Sequence, residues 1–183
     1  SSNPAGVALT TDAVIDGDLE LVRGPVDLSS RTVRHRGGLR RAAGLFSGST
    51  FTLILDGAAV QPLAMAGGAV HTLIVANSSA GARLDEDLIV RGTFTVLAGA
   101  VFDGAASDLF VSGSSGAWST AGAVYRSSGP ATHFVAWQPL TGTRMHVADG
   151  STVAARVVVS GRVRLGGKLY VTGAGNSLEL FTP

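Results

Sequence analysis

The stretch LIVRGTFTV, residues 88–96, has two echoes in the chain: LVRGPVDL at 21–28 and VVVSGRVRL at 157–165. The Val-x-Gly of each phrase ends at Gly24, Gly92 and Gly161, a nearly constant interval. After each glycine, PVDL (25–28), TFTV (93–96) and RVRL (162–165) alternate apolar and polar residues. Alternation at period two describes a strand with one face buried. A strand phrase repeated at nearly constant interval is the signature of a repeat architecture.

Further landmarks support the same reading. HTLIVANSSAG, from 71, matches RMHVADGST, from 144, as an alternating strand closed by Asn or Asp and small residues. Gly, Asn-Ser and Ser-Gly punctuation recurs along the chain, as in DGAAV, AGGAV, NSSAG, DGAAS, SGSSG and SSGPA. Such spacing fits a parallel β-solenoid or a β-sandwich. An internal period of about 68 residues suits the solenoid, because three coils of about 22 residues make one sequence unit. The sequence therefore predicts an all-β chain, a single domain over 1–183. It is expected to be a parallel β-solenoid (β-helix) of about eight coils, with a β-sandwich as the alternative. The expected repeat boundaries are 25–92, 93–161 and a partial unit at 162–183. At about 4.8 Å between stacked strands, eight coils give a rod roughly 40 Å long.

Composition excludes several other classes. Of 183 residues, 45% are hydrophobic and 15% charged, which is not the balance of a disordered chain. The 25 glycines are spread throughout, and an interior glycine costs a helix about 1 kcal/mol, so long helices have little room. The net charge of +1 gives no general attraction to nucleic acid. The absence of cysteine excludes disulfides and thiolate ligands. No apolar run reaches the roughly 20 residues of a membrane-spanning helix, so membrane insertion is not expected. The start SSNPAG, without methionine or a signal sequence, reads as a mature piece or an excised fragment.

The order STFTLILDGAAVQPLAMAGGAVHTLIVANSSAGARLDEDLIVRGTFTVLAGAVFD, 49–103, resembles the filler repeats of very large secreted bacterial surface proteins and adhesins. ASDLFVSGSSGAW (106–118) and KLYVTGAGNSLEL (168–180) are similar in style, whereas 31–41 departs from it. The resemblance implies a structural module, a stalk, surface coat or adhesin segment, secreted or at the cell surface. A self-assembling extracellular fibre subunit is the second expectation, and a carbohydrate-binding or carbohydrate-active β-helix the third. The expected partners are further copies, end to end or lateral, or a surface glycan or protein receptor.

Two groups of residues stand out as contact candidates. RTVRHRGGLRR, 31–41, supplies Arg31, Arg34, Arg36, Arg40 and Arg41 without an acid, a pattern that fits docking of an anionic polymer. The competing reading pairs these arginines with Asp12, Asp16, Asp18, Glu20 and Asp27 of the preceding segment, and it is preferred. Trp118, Tyr125, Phe134 and Trp137 cluster in the second repeat and fit a sugar-stacking or protein-contact patch, against a role in filling an irregular core. Asp85, Glu86 and Asp87 form the densest acidic run, which reads as a polar corner rather than a catalytic pair or a calcium site. His35, His71, His133 and His146 lack metal-ligand spacing, and no nucleophile elbow or phosphate loop occurs. The expectation is therefore a non-enzyme with no cofactor, no metal and no nucleic-acid partner.

Overall fold

A computed structural model describes residues 6–48, 50–105, 107 and 109–111, and beyond them the backbone of seven further strands. The chain winds through five complete coils. Each coil contributes one short strand to each of three faces. Coil one holds β1 (Val7–Ala8), β2 (Ala13–Ile15) and β3 (Leu19–Leu21). Coil two holds β4 (Pro25–Asp27), β5 (Thr32–His35) and β6 (Leu39–Arg41), and coil three β7 (Leu45–Ser47), β8 (Thr52–Leu55) and β9 (Gln61–Ala64). Coil four holds β10 (Gly68–Val70), β11 (Thr72–Val75) and β12 (Ala82–Leu84), and coil five β13 (Leu88–Val90), β14 (Phe94–Val96) and β15 (Val101–Asp103).

Strands on one face pair in parallel with their equivalents in the next coil, so the fold is an all-β parallel β-solenoid. Equivalent second-face strands begin at Ala13, Thr32, Thr52, Thr72 and Phe94, so most coils are slightly shorter than expected. Contacts between adjacent coils have the same reach: Thr32 N donates to Asp12 Oδ1 across 20 residues of chain. Among the described residues three-faced coils number five, where the sequence predicts about eight over the whole chain. Beyond them two ladders continue through β16 (Leu109–Val111), β17 (Ala123–Arg126), β18 (His133–Val135) and β19 (Leu140–Val147). They end in β20 (Ser151–Val153), β21 (Arg156–Leu165), β22 (Leu169–Val171) and β23 (Ser177–Phe181). The even-numbered four extend the first face and the odd-numbered four the third, whereas the second-face ladder ends at β14 among the described residues.

Stacking explains the alternation. On the second face the inward columns are Ala13, Val33, Leu53, Leu73, Phe94 and Ile15, His35, Leu55, Val75, Val96. On the third, Leu19, Leu39, Leu63 and Leu84 stack in register. Leu53, Leu55, Leu63, Leu73 and Leu84 are all at most 1% exposed, and each contributes about 1.5–3 kcal/mol by leaving water. No coil can bury such a face alone, so the stability lies in the stack.

The opening phrase marks corners. Gly24 stands between third and first faces, Gly92 between first and second, and Gly161 inside β21. The interval from Gly24 to Gly92 is therefore three coils plus one step to the next face. The glycines also serve different needs. Gly24 adopts φ +75°, whereas a Cβ on Gly92 would stand 2.7 Å from Cε1 of His71 in the coil before.

Candidate functional site

Two features of the outer surface carry the chemistry of the described residues: a polar seam and a cleft. The seam runs along the corner between second and third faces, where a charged residue followed by glycine recurs in each of the first three coils: Asp16-Gly17, Arg36-Gly37, Asp56-Gly57. Arg36 Nη1 donates to Asp16 Oδ1 at 2.8 Å, and its Nε lies 3.6 Å from Asp56 Oδ1. Arg34 Nη1 donates to Asp56 Oδ2 at 2.7 Å. Beneath these charges the backbones close in. A Cβ on Gly37 would sit less than 3.0 Å from the Gly17 carbonyl, and one on Gly57 equally close to the Arg36 carbonyl. Only glycine permits that approach.

Inside the seam lies a buried chain of amides. Gln61 donates through Nε2 to the carbonyls of His35 (2.8 Å) and Gly37 (3.1 Å), and its Oε1 accepts from Gly57 N at 2.8 Å. Asn77 Nδ2 donates to Gln61 Oε1 and to the carbonyls of Ala59 and Gly81, while its Oδ1 accepts from Ser79 and Ala80. His35 is fully buried in an aliphatic column. Its Nε2 faces the Gly38 carbonyl at 2.9 Å, so Nε2 carries the proton, and Nδ1 has no partner among the described residues.

The cleft opens on the first face between coils three and four. There β7 and β10 exchange no ladder hydrogen bonds, although their equivalents on the other faces pair fully. Chain lengths give the cause. The whole segment 48–51 joins β7 to β8, whereas His71 alone joins β10 to β11. Coil four has no counterpart to Gly48 and Thr50, and a cleft of about 650 Å³ remains. Its inner side carries Phe46 and Phe51, whose ring centres lie 5.5 Å apart. Its rim carries Arg41, His71 and Arg91.

The five arginines of 31–41 do not share a surface. They are distributed around one coil, with Arg34 on the second face, Arg36 at the seam, Arg40 on the third face and Arg31 and Arg41 near the other two corners. Arg34, Arg36 and Arg40 face Asp56, Asp16 and Glu20 of the adjacent coils, Arg40 at 3.7 Å. Arg41 instead donates to the Gly44 carbonyl at 2.7 Å and the Ala66 carbonyl at 3.1 Å. Asp85 is held by Arg83 through two bonds of 2.6 and 3.1 Å, which raise the Arg83 guanidinium above its usual range. Asp87 accepts from Gly67 N at 2.8 Å through its carbonyl, so the acidic run forms a hydrogen-bonded corner.

Of the aromatic candidates, Trp118 and Trp137 lie outside the described residues. The backbone puts Tyr125 on the third-face ladder, in register with Phe102, and Phe134 on the first-face ladder beside Leu109. Those are different faces. No family model matches the chain, and no curated protein or solved structure does so either.

The Arg36–Asp16 pair of the seam follows the preferred reading of the arginine run, whereas its glycine column and the cleft lie beyond that reading. The seam has a signal, a charged residue followed by glycine at intervals of 20 residues through coils one to three. The cleft has none in any single residue, because it arises from a difference in loop length between two coils.

Proposed function

We propose that the chain is a structural β-solenoid module, a stalk, coat or adhesin segment of a secreted or cell-surface protein of bacterial type. The supporting observation is the continuity of the stack: inward columns run through five coils in register, and side-chain bonds fasten neighbouring coils at the seam. A body in which successive coils are held by backbone ladders, with buried amides linking coils two to four, resists bending and has little need of other partners to keep its form. Its work on this reading is to hold other parts at a fixed separation. Five coils account for about 24 Å of that length.

Small-angle scattering and negative-stain microscopy across a concentration series test this reading. Isolated short rods of constant length support it, and compact globules overturn it.

A second reading, a self-assembling fibre subunit, has one observation in its favour. Among the described residues β1, β2 and β3 have hydrogen-bonded neighbours on one side only, and Val7, Val14 and Val22 of this coil are 53–60% exposed. Unpaired strand edges of this kind accept another coil. Filaments that lengthen with concentration in the same experiment would favour it.

A further inference from the structure

The first-face cleft has a composition that its neighbours on the solenoid lack. Arg34, Arg36, Arg40 and Arg83 each face a carboxylate. The cleft gathers Arg41, His71 and Arg91, and no acid is among its described lining residues. Arg41 is held by carbonyls alone, which fixes its charge in place without neutralising it. Arg91 is exposed, and its guanidinium makes no hydrogen bond or ion pair with the described residues. His71 shares Nδ1 with Thr72 Oγ1 at 3.2 Å, and Nε2 is left without a described partner. These cations stand beside the exposed Leu45, the half-buried Ile89 and two strand edges that do not pair with each other.

We propose that this cleft is a binding site for an acidic sugar, a uronate or a similar carboxylated saccharide. The carboxylate takes the fork of Arg91, where two parallel N–H groups match its two oxygens. Arg41 and His71 supply further positive potential and a donor. The sugar's C–H face rests on Leu45 and Ile89, and its hydroxyls meet edge groups of β7 and β10 that the two strands do not exchange with each other. Size separates this ligand from the alternatives. About 650 Å³ lies in the range of small-ligand sites and far exceeds an inorganic anion. An extended peptide is excluded by spacing: an inserted strand needs β7 and β10 about 9.6 Å apart, two strand separations, and their Cα atoms approach within 8 Å. The site does not depend on whether the module serves as a stalk or a fibre.

The test is calorimetric titration with a galacturonate trimer, and with its methyl ester as the neutral probe of the same shape. The acid is expected to bind saturably and the ester about ten-fold more weakly or worse. Arg91→Gln is expected to weaken the acid by a similar factor and to leave the ester and the melting temperature unchanged. Arg23→Gln, another exposed cation, is expected to change neither. Equal binding of acid and ester overturns the proposal, as does an equal loss in Arg23→Gln, displacement of the trimer by equimolar phosphate, or no saturable binding at millimolar trimer.

Discussion

Coils three and four meet in two different ways on two sides of the same rod. At the seam between second and third faces, Leu55 stacks on Val75 and Gln61 on Ala82 in unbroken register, and Gln61 and Asn77 fill the corner. On the first face the same two coils fail to pair. The seam accommodates a longer corner in coil three, where Leu39 pairs with Leu63 at a wider offset than the one joining Leu19 to Leu39. The extra residues, among them Gly57 and Ala59, are tied down by the two amides. The shortened connection at His71 offsets that insertion and keeps the coil close to its usual length. A solenoid thus tolerates a length change at one corner if another corner compensates, and the compensating side becomes the concave one. A rod of this kind gains concavity at the corner that lost residues, not the one that gained them.

The largest expected effect breaks the seam. Gly37→Ala places a Cβ against the Gly17 carbonyl, backbone against backbone, and is expected to cost about 3 kcal/mol or more in urea denaturation. Gly17→Ala, in the same column, meets nothing within 4 Å and is expected to leave the monomer's stability unchanged. The pair also separates the two functional readings. If another coil docks on coil one as coil one docks on coil two, Gly17→Ala abolishes filaments while the monomer stays intact.

This column shows what the sequence makes legible and what it does not. The all-β solenoid follows from alternating strands such as Thr72–Val75 and from glycines at regular intervals, because each inward residue has to stack on its equivalent. LIVRGTFTV directs attention to the long interval between its echoes, since identical letters draw the eye before equivalent roles do. The structural period is carried by Asp16-Gly17, Arg36-Gly37 and Asp56-Gly57, in which sign of charge alternates while geometry is constant. The arginine run at 31–41 reads as one patch in a linear string. So short a coil spreads this run from the corner before β5 to the end of β6, so the string scatters and the preceding coil's acids meet it. The cleft is out of reach for a different reason. It depends on the register between coils, which no local pattern encodes.

The second prediction keeps the backbone and removes the amide. Gln61→Leu retains bulk but removes the partner of the Gly57 N–H and of the Gly37 carbonyl and leaves the His35 carbonyl to Asp56 N alone, at a corner where Gln61 is fully buried. Each stranded group costs about 1–3 kcal/mol where the structure cannot relax, and a total loss of about 3 kcal/mol is expected from thermal denaturation. Loosening this corner is also expected to raise hydrogen exchange at Gly57 and Ala76 before it does so at Leu73. On the cleft side, Arg41→Met removes the donors that cover the Gly44 and Ala66 carbonyls. The Ala66 carbonyl is exposed, so water replaces the guanidinium there, and only the part-buried bond to Gly44 is lost without replacement; the expected cost is smaller, about 1 kcal/mol.

The smallest effect is expected within the run where the sequence concentrates its positive charge. Arg40 and Glu20 stand 3.7 Å apart with side chains 71% and 48% exposed, so water screens the pair and Arg40→Gln is expected to cost less than about 0.5 kcal/mol. Arg34→Gln serves as its partner measurement. Asp56 is only 17% exposed and accepts from Arg34 at 2.7 Å, so removing Arg34 leaves a largely buried carboxylate with Arg36 at 3.6 Å as its remaining cation. Arg34→Gln is therefore expected to cost more than Arg40→Gln, by about 0.5–1 kcal/mol, and the gap is expected to narrow in molar salt. Equal costs for the two would mean that the seam's ion pairs contribute register without stability. The buried amides alone would then account for the difference between the two sides of the rod.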